Sequence, residues 1–185
     1  YGVNKIRLTG GEPLARKEFP DILKKLSKLE TSLHITTNGI LLNQFWRRLK
    51  LAGITSVNIS LDTLKKNKFK QITRIDGFQK VIQNINQAID NFIYVKLNVV
   101  AMKGVNDDEI LNFVKLTKHL PVHVRFIEFM PFAGNQWKHA SVINHDEIIE
   151  KVSSQYSFEK IKDCLGLPFI IKPIFSSGSR GIHLI

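Results

Sequence analysis

Two glycines and a glutamate close the stretch KIRLTGGEPL, residues 5–14. Gly10 and Gly11 permit backbone angles closed to other residues and let a ligand approach the main chain. Glu12 beside them can accept hydrogen bonds from an ammonium group. The same residues also suit a tight strand-to-helix turn, with Pro13 pre-setting the helix start. No GKS or GKT follows, so the stretch is not a P-loop. TTNG at 36–39 has the same two readings: ordinary strand punctuation by Asn38 and Gly39, or Thr36 offered to a ligand near a strand's end. NISLD repeats the arrangement with Ser60 and Asp62. Lys96 interrupts an otherwise apolar strand. A bare buried ammonium is costly, so it should either pair with a carboxylate or hold an anion.

Other reactive types carry less. His34, His119, His123, His139, His145 and His183 show no metal-ligand spacing such as HExxH and read as surface or satisfied core histidines. Trp137, in a Gly-Asn-Gln loop, reads as a lid or interface residue. Cys164 has no neighbouring base to mark it as a nucleophile. As the only cysteine, it rules out an internal disulfide and an all-cysteine metal site built from this chain alone.

The elements that position these groups follow from periodicity. Residues 4–10, 33–37, 55–61, 93–100 and 122–129 are β-rich, and amphipathic stretches lie between them. Phe19, Ile22, Leu23, Leu26 and Leu29 form one helical stripe. Leu41, Leu42, Phe45, Trp46 and Leu49 form a second, stopped by Gly53, and Phe78, Val81, Ile82, Ile85 and Ile89 a third. Asn106 with Glu109 resembles a capping box opening a fourth helix, and Asn144 with Glu147 another. Such alternation predicts successive βα units around a parallel sheet.

The strands are two-faced. Arg7 and Thr9, His34 and Thr36, Asn58 and Ser60, and Lys96 and Asn98 share one parity, opposite apolar residues. The interior of a closed eight-stranded barrel is packed with branched apolar side chains. A polar interior therefore predicts a wider or incompletely closed barrel with a ligand inside. In HVRFIEFM, Arg125 and Glu128 fall on opposite parities, which a bulge or an early strand end would reconcile. From about residue 134 the pattern changes to a helix and β-rich pieces broken by glycine and proline, which suggests an extension or small second lobe.

With 27 Lys and Arg against 16 Asp and Glu, the formal charge is +11, a surplus that favours anionic partners unless it only solvates the surface. No run of 18 apolar residues and no signal-peptide pattern occurs, so no membrane contact and a cytoplasmic location are expected. The chain opens on the approach to a strand without an initiating Met and stops on GIHLI, so a longer parent is expected.

KIRLTGGEPL, ITTNGILL, AGITSVNISLDTL, VKLNVVAMKGVNDDEI and VRFIEFMPF, in this order and spacing, resemble the GTP 3′,8-cyclase family of molybdenum cofactor biosynthesis, within the radical S-adenosylmethionine superfamily. GGEP alone would indicate only the superfamily. The resemblance implies an α/β fold, an incomplete parallel (βα)6 TIM-like barrel over 1–133 lacking its first βα unit, with a small C-terminal α+β extension over 134–185. It implies S-adenosylmethionine contacts at Gly11, Glu12, Ser60 and Met130, with Glu12 holding the methionine ammonium. Arg7, Thr36 and Lys96 match GTP contacts, a guanidinium and an ammonium suiting a triphosphate. No residue here matches a catalytic or metal-ligating position. The implied reaction starts from reductive cleavage of S-adenosylmethionine at a [4Fe-4S] cluster. The resulting 5′-deoxyadenosyl radical abstracts hydrogen from the ribose C3′ of GTP, and the substrate radical closes onto guanine C8.

The family's two [4Fe-4S] clusters take cysteines from motifs that Cys164 does not fit, so this chain by itself is expected to be inactive. The resemblance also implies delivery of product to a cyclic pyranopterin monophosphate synthase and is compatible with a homodimer. Two other readings stay open: a radical S-adenosylmethionine enzyme with another substrate, and a non-catalytic basic module binding nucleotides or nucleic acid. No basic-aromatic platform is present, so a nucleic-acid partner is not expected.

Overall fold

The structure is a computed structural model; it describes residues 2–91, 94–129 and 142–156 and the backbone of 170–172. Two compact units divide the chain, Tyr1–Ser60 with Ile75–Lys96 and Leu61–Arg74 with Leu97–Ile185.

In the first unit, strand β1 (Lys5–Leu8) pairs in parallel with β2 (Ser32–Thr37), and β2 with β3 (Ser56–Ser60). The Tyr94 N–H donates to the Thr55 carbonyl and starts β4 (Tyr94–Ala101). Parallel strands need long crossovers, supplied here by α1 (Phe19–Leu26), α2 (Trp46–Leu51) and α4 (Phe78–Asp90). Leu33, Ile35, Val57, Ile59 and Val95 are buried on one strand parity, with Phe19 and Leu23 of α1, Leu49 of α2 and Val81, Ile85 and Ala88 of α4 also in the core. Each such large side chain is worth about 1.5–3 kcal/mol when removed from water. Phe19 meets the Phe45 ring edge-on, with centroids 5.5 Å apart.

The expected strands and helical stripes form, with differences at their edges. Leu29 lies beyond α1 and is 50% exposed. A 3-10 turn at Leu42–Gln44 splits the second stripe. On β3 the polar parity is not wet, since Asn58 is 3% and Ser56 7% exposed; only Ser60, at the strand's end, is open.

In the second unit, the Leu61 N–H donates to the Asn98 carbonyl, continuing the ladder beside β4. Helix α3 (Lys66–Thr73), α5 (Ile110–His119), β5 (Val122–Glu128), α6 (His145–Ser153) and β6 (Ile170–Lys172) complete it, with β6 parallel to β5. Phe113 of α5 meets Phe126 of β5 edge-on. The Asn144–Glu147 capping box forms as expected. The Asn106–Glu109 pair does not. Glu109 is wholly buried and accepts instead from the Thr63 hydroxyl, the Leu64 N–H and Lys68 Nζ. Asn106 accepts from the Met102 N–H and donates to the Asp62 and Val100 carbonyls. Tertiary donors outcompeted the local cap. Glu128 closes β5 and accepts the first free N–H of α6, that of His145, at 2.6 Å. Its place at the strand's end lets it share the buried parity of Val124 and Phe126 without entering the core.

Candidate functional site

Strand alternation and register assemble the candidate residues on the first unit. Arg7 of β1 is the register partner of His34 of β2, and Thr36 that of Asn58 of β3. Parallel neighbours lie about 4.8 Å apart, so the side chains of Arg7, His34 and Thr36 stand close together on the parity opposite Ile35. Arg7 is exposed, while His34, Thr36 and Lys96 are half-buried. Strands β1 to β4 contain no Asp or Glu. Among the described residues the Arg7 guanidinium has no carboxylate or hydrogen-bond partner. The field on this face is felt at His34. Partial burial depresses its pKa from 6.5, and the charges of Lys5, Arg7 and Lys96 push it lower still. The arrangement suits a multiply charged anion.

The glycine-glutamate corner is tied to the end of β2. Gly10 takes φ +140°, a conformation essentially reserved for glycine. A β-carbon placed on Gly11 would meet nothing within 4 Å, so the main chain there is open to a ligand. Glu12 caps the 3-10 turn Pro13–Ala15: its Oε1 accepts from the Leu14 N–H at 3.1 Å and the Thr37 hydroxyl at 2.7 Å. Its Oε2 accepts the Asn38 N–H at 2.6 Å. A carboxylate oxygen takes about two donors, which leaves Oε2 one place for an ammonium. Thr37 Oγ1 also accepts from the Gly39 N–H, and Asn38 Oδ1 from the Ile40 N–H. Buried Asn84 of α4 donates to the Gly39 and Ile40 carbonyls. The turn reading of TGGEP and TTNG is thus observed directly: both are tight turns held by side-chain hydrogen bonds.

Gly11, Glu12, Thr36, Arg7, Lys96 and exposed Ser60 all belong to the first unit. Met130, Trp137, His139, Cys164 and His183 lie outside the described residues. His34, read from sequence as surface or core, is instead part of the cationic face; its shared parity with Thr36 was the available signal. A separate groove of about 300 Å³ runs along the outer helices, between Leu23 and Lys24 of α1 and Arg48 and Leu51 of α2.

Open main chain at Gly11 and an acceptor place on Glu12 suit the methionine end of S-adenosylmethionine. Among the described residues no three His, Cys, Asp or Glu side chains are grouped to hold a metal, and one cysteine cannot supply an iron-sulfur cluster's thiolates. Nor is any helix among them long and apolar enough to cross a membrane.

Comparison with known proteins gives this geometry a family. A mitochondrial GTP 3′,8-cyclase of Arabidopsis thaliana is 48% identical over 166 residues, covering 88% of this chain and 43% of its own. A GTP 3′,8-cyclase of Thermodesulfovibrio yellowstonii is 44% identical over 157 residues, 83% of this chain and 49% of its own. The chain thus spans less than half the length of these relatives. In fold it is similar to a radical SAM methyltransferase from Sphaerobacter thermophilus, with a TM-score of 0.69 at 18% identity over 91% of this chain and 50% of that one. Its parallel strands alternating with helices are those of a partial (βα) barrel. The Radical SAM superfamily model matches residues 1–117, and the chain belongs to that superfamily.

Proposed function

We propose that this chain is the barrel part, through about residue 133, of a GTP 3′,8-cyclase acting in molybdenum cofactor biosynthesis. Residues 134–185 would form a C-terminal extension. The observation that carries the reading is the strand face bearing Arg7, Thr36 and Lys96, built from strands without Asp or Glu, in a chain 48% identical to a plant cyclase. On it the guanidinium and the ammonium hold the triphosphate, and the Thr36 hydroxyl adds a directional hydrogen bond. Gly11, Glu12, Ser60 and Met130 hold S-adenosylmethionine, Glu12 through the acceptor place left on Oε2. S-adenosylmethionine supplies the hydrogen-abstracting radical in this chemistry. The chain's own part is to bind, orient and shield the two small molecules.

Two [4Fe-4S] clusters complete the proposed holoenzyme, and Cys164 alone cannot furnish them. This polypeptide by itself should therefore neither develop a [4Fe-4S] absorption spectrum on reconstitution nor cleave S-adenosylmethionine. Product would pass to a cyclic pyranopterin monophosphate synthase, and a homodimer is compatible with the reading.

Titration calorimetry with GTP tests it. Hydrogen bonds to charged groups are worth about 1.5–3 kcal/mol, so Arg7→Gln or Lys96→Gln should weaken GTP roughly tenfold or more. Unchanged affinity in both variants would overturn the assignment. Salt-steep nucleic-acid binding without GTP affinity would point to the basic-module reading.

A further inference from the structure

Resting on that reading, we propose that His34 is a third member of the phosphate-binding face, taking up a proton from solvent as the anion arrives and donating a hydrogen bond to the terminal phosphates. The geometry comes from the strand ladder. His34 is the register partner of Arg7 and stands two residues before Thr36 on the same parity of β2. It is half-buried, and among the described residues its imidazole has no hydrogen-bond partner. A neutral imidazole so placed has one donor and one acceptor; once protonated it has two donors for an oxyanion.

The surroundings decide between these states. Lys5 and Arg7 act on His34 from β1 and Lys96 from β4, while β3 between them carries no titratable residue. Burial and the three cations Lys5, Arg7 and Lys96 all disfavour a charged ring, which keeps it unprotonated at neutral pH before an anion binds. A bound polyphosphate places several negative charges against the same three cations and reverses the field. The pKa then rises through neutrality, and the ring becomes a charged donor on the ligand. Binding of the triphosphate is thereby coupled to uptake of a proton, and the site holds its ligand more tightly as pH falls.

The test is calorimetry on the full chain with GTP and with inorganic triphosphate, at pH 7.5 in two buffers of different ionisation enthalpy. The ligand's terminal phosphate sheds protons on entering a cationic face, so the imidazole's share is the difference between wild type and His34→Gln. Wild type should take up a substantial fraction of a proton more than the variant. The variant's affinity should be lower by roughly tenfold or more at pH 6.5 and near wild type at pH 8.5, the loss expected of one charged hydrogen bond. Imidazole NMR should show the His34 titration moving upward on adding triphosphate, a readout that a purely structural role would leave still. Equal proton counts and parallel pH profiles in the two proteins, with GTP bound, would overturn the role of His34 and leave the cyclase reading intact. Triphosphate uptake coupled to His34 without any preference for GTP would do the reverse. Failure of both ligands to bind would overturn both.

Discussion

The Glu12 carboxylate accepts the backbone N–H of Asn38 at 2.6 Å across 26 positions of sequence. With its bonds to Leu14 and Thr37, it fastens the glycine corner after β1 to the turn after β2. Glu12→Gln cannot accept on both sides, and its amide would aim a donor at a donor. An unmet buried donor costs about 1–3 kcal/mol, so the variant should lose that much in urea melts and bind S-adenosylmethionine more weakly. Wild-type stability in Glu12→Gln would show that this carboxylate holds nothing together.

Asp62 gives a pH-dependent outcome. Burial raises its pKa above 3.8, and the Val100 N–H donated to Oδ1 only partly offsets this. A raised carboxyl pKa makes the folded state the better proton binder, so this group's contribution is best at low pH and is lost as pH rises through the folded value. Asp62→Asn keeps the acceptor for Val100 and removes the charge. It should melt at a higher temperature than wild type at pH 7, the difference shrinking toward pH 3.8. A lower melting temperature at pH 7 would contradict this account.

Glu109 is wholly buried with four donor contacts: two from the Thr63 hydroxyl and one each from Leu64 and Lys68. Removing one partner of a buried charged pair costs about 3–5 kcal/mol. Lys68 also reaches the Val105 carbonyl and Asp108 and keeps those bonds, so Glu109→Ala should fall at the low end, about 3 kcal/mol by denaturant titration. A loss below about 1 kcal/mol would place the network's strength elsewhere.

Asp108 tests the exposed rim of the same network. Lys65 and Lys68 hydrogen-bond it and lower its pKa to about 2. A depressed carboxyl stabilises above its unfolded value of 3.8 and loses that contribution as pH falls toward 2. The side chain is half exposed and its ion pairs are screened. Asp108→Asn should therefore cost little at pH 7, within about 1 kcal/mol, and cost nothing near pH 2. An equal penalty at both pH values would rule out a charge-based role.

Alternation made β2 and β4 legible, because their inner residues are apolar without exception apart from Thr37. The apolar stripe of α4 was equally plain. Helix α3 was not, since Phe69 is its sole buried residue and lysines occupy three of its eight positions. The capping pattern at Asn106 misled because a local motif carries no record of Thr63 and Lys68, some 40 residues earlier. Polar candidates were readable by parity: Arg7, Thr36 and Lys96 needed only strand alternation. The binding of Glu12 to Thr37 and Asn38 depended on register, which a single strand does not reveal. His34 shared that readable parity with Thr36, but its place opposite Arg7 across the ladder again depended on register.

The two carbonyls that Asn84 satisfies belong to Gly39 and Ile40, about 45 residues before it. Such a long-range contact forms late, after the closure entropy of the intervening loop has been met. During synthesis the turn after β2 therefore emerges with those carbonyls still hydrated, and it cannot take its final shape until α4 has left the ribosome. That corner is completed by a helix made well after it, so a nascent chain halted before residue 84 would carry the TTNG sequence without a formed turn.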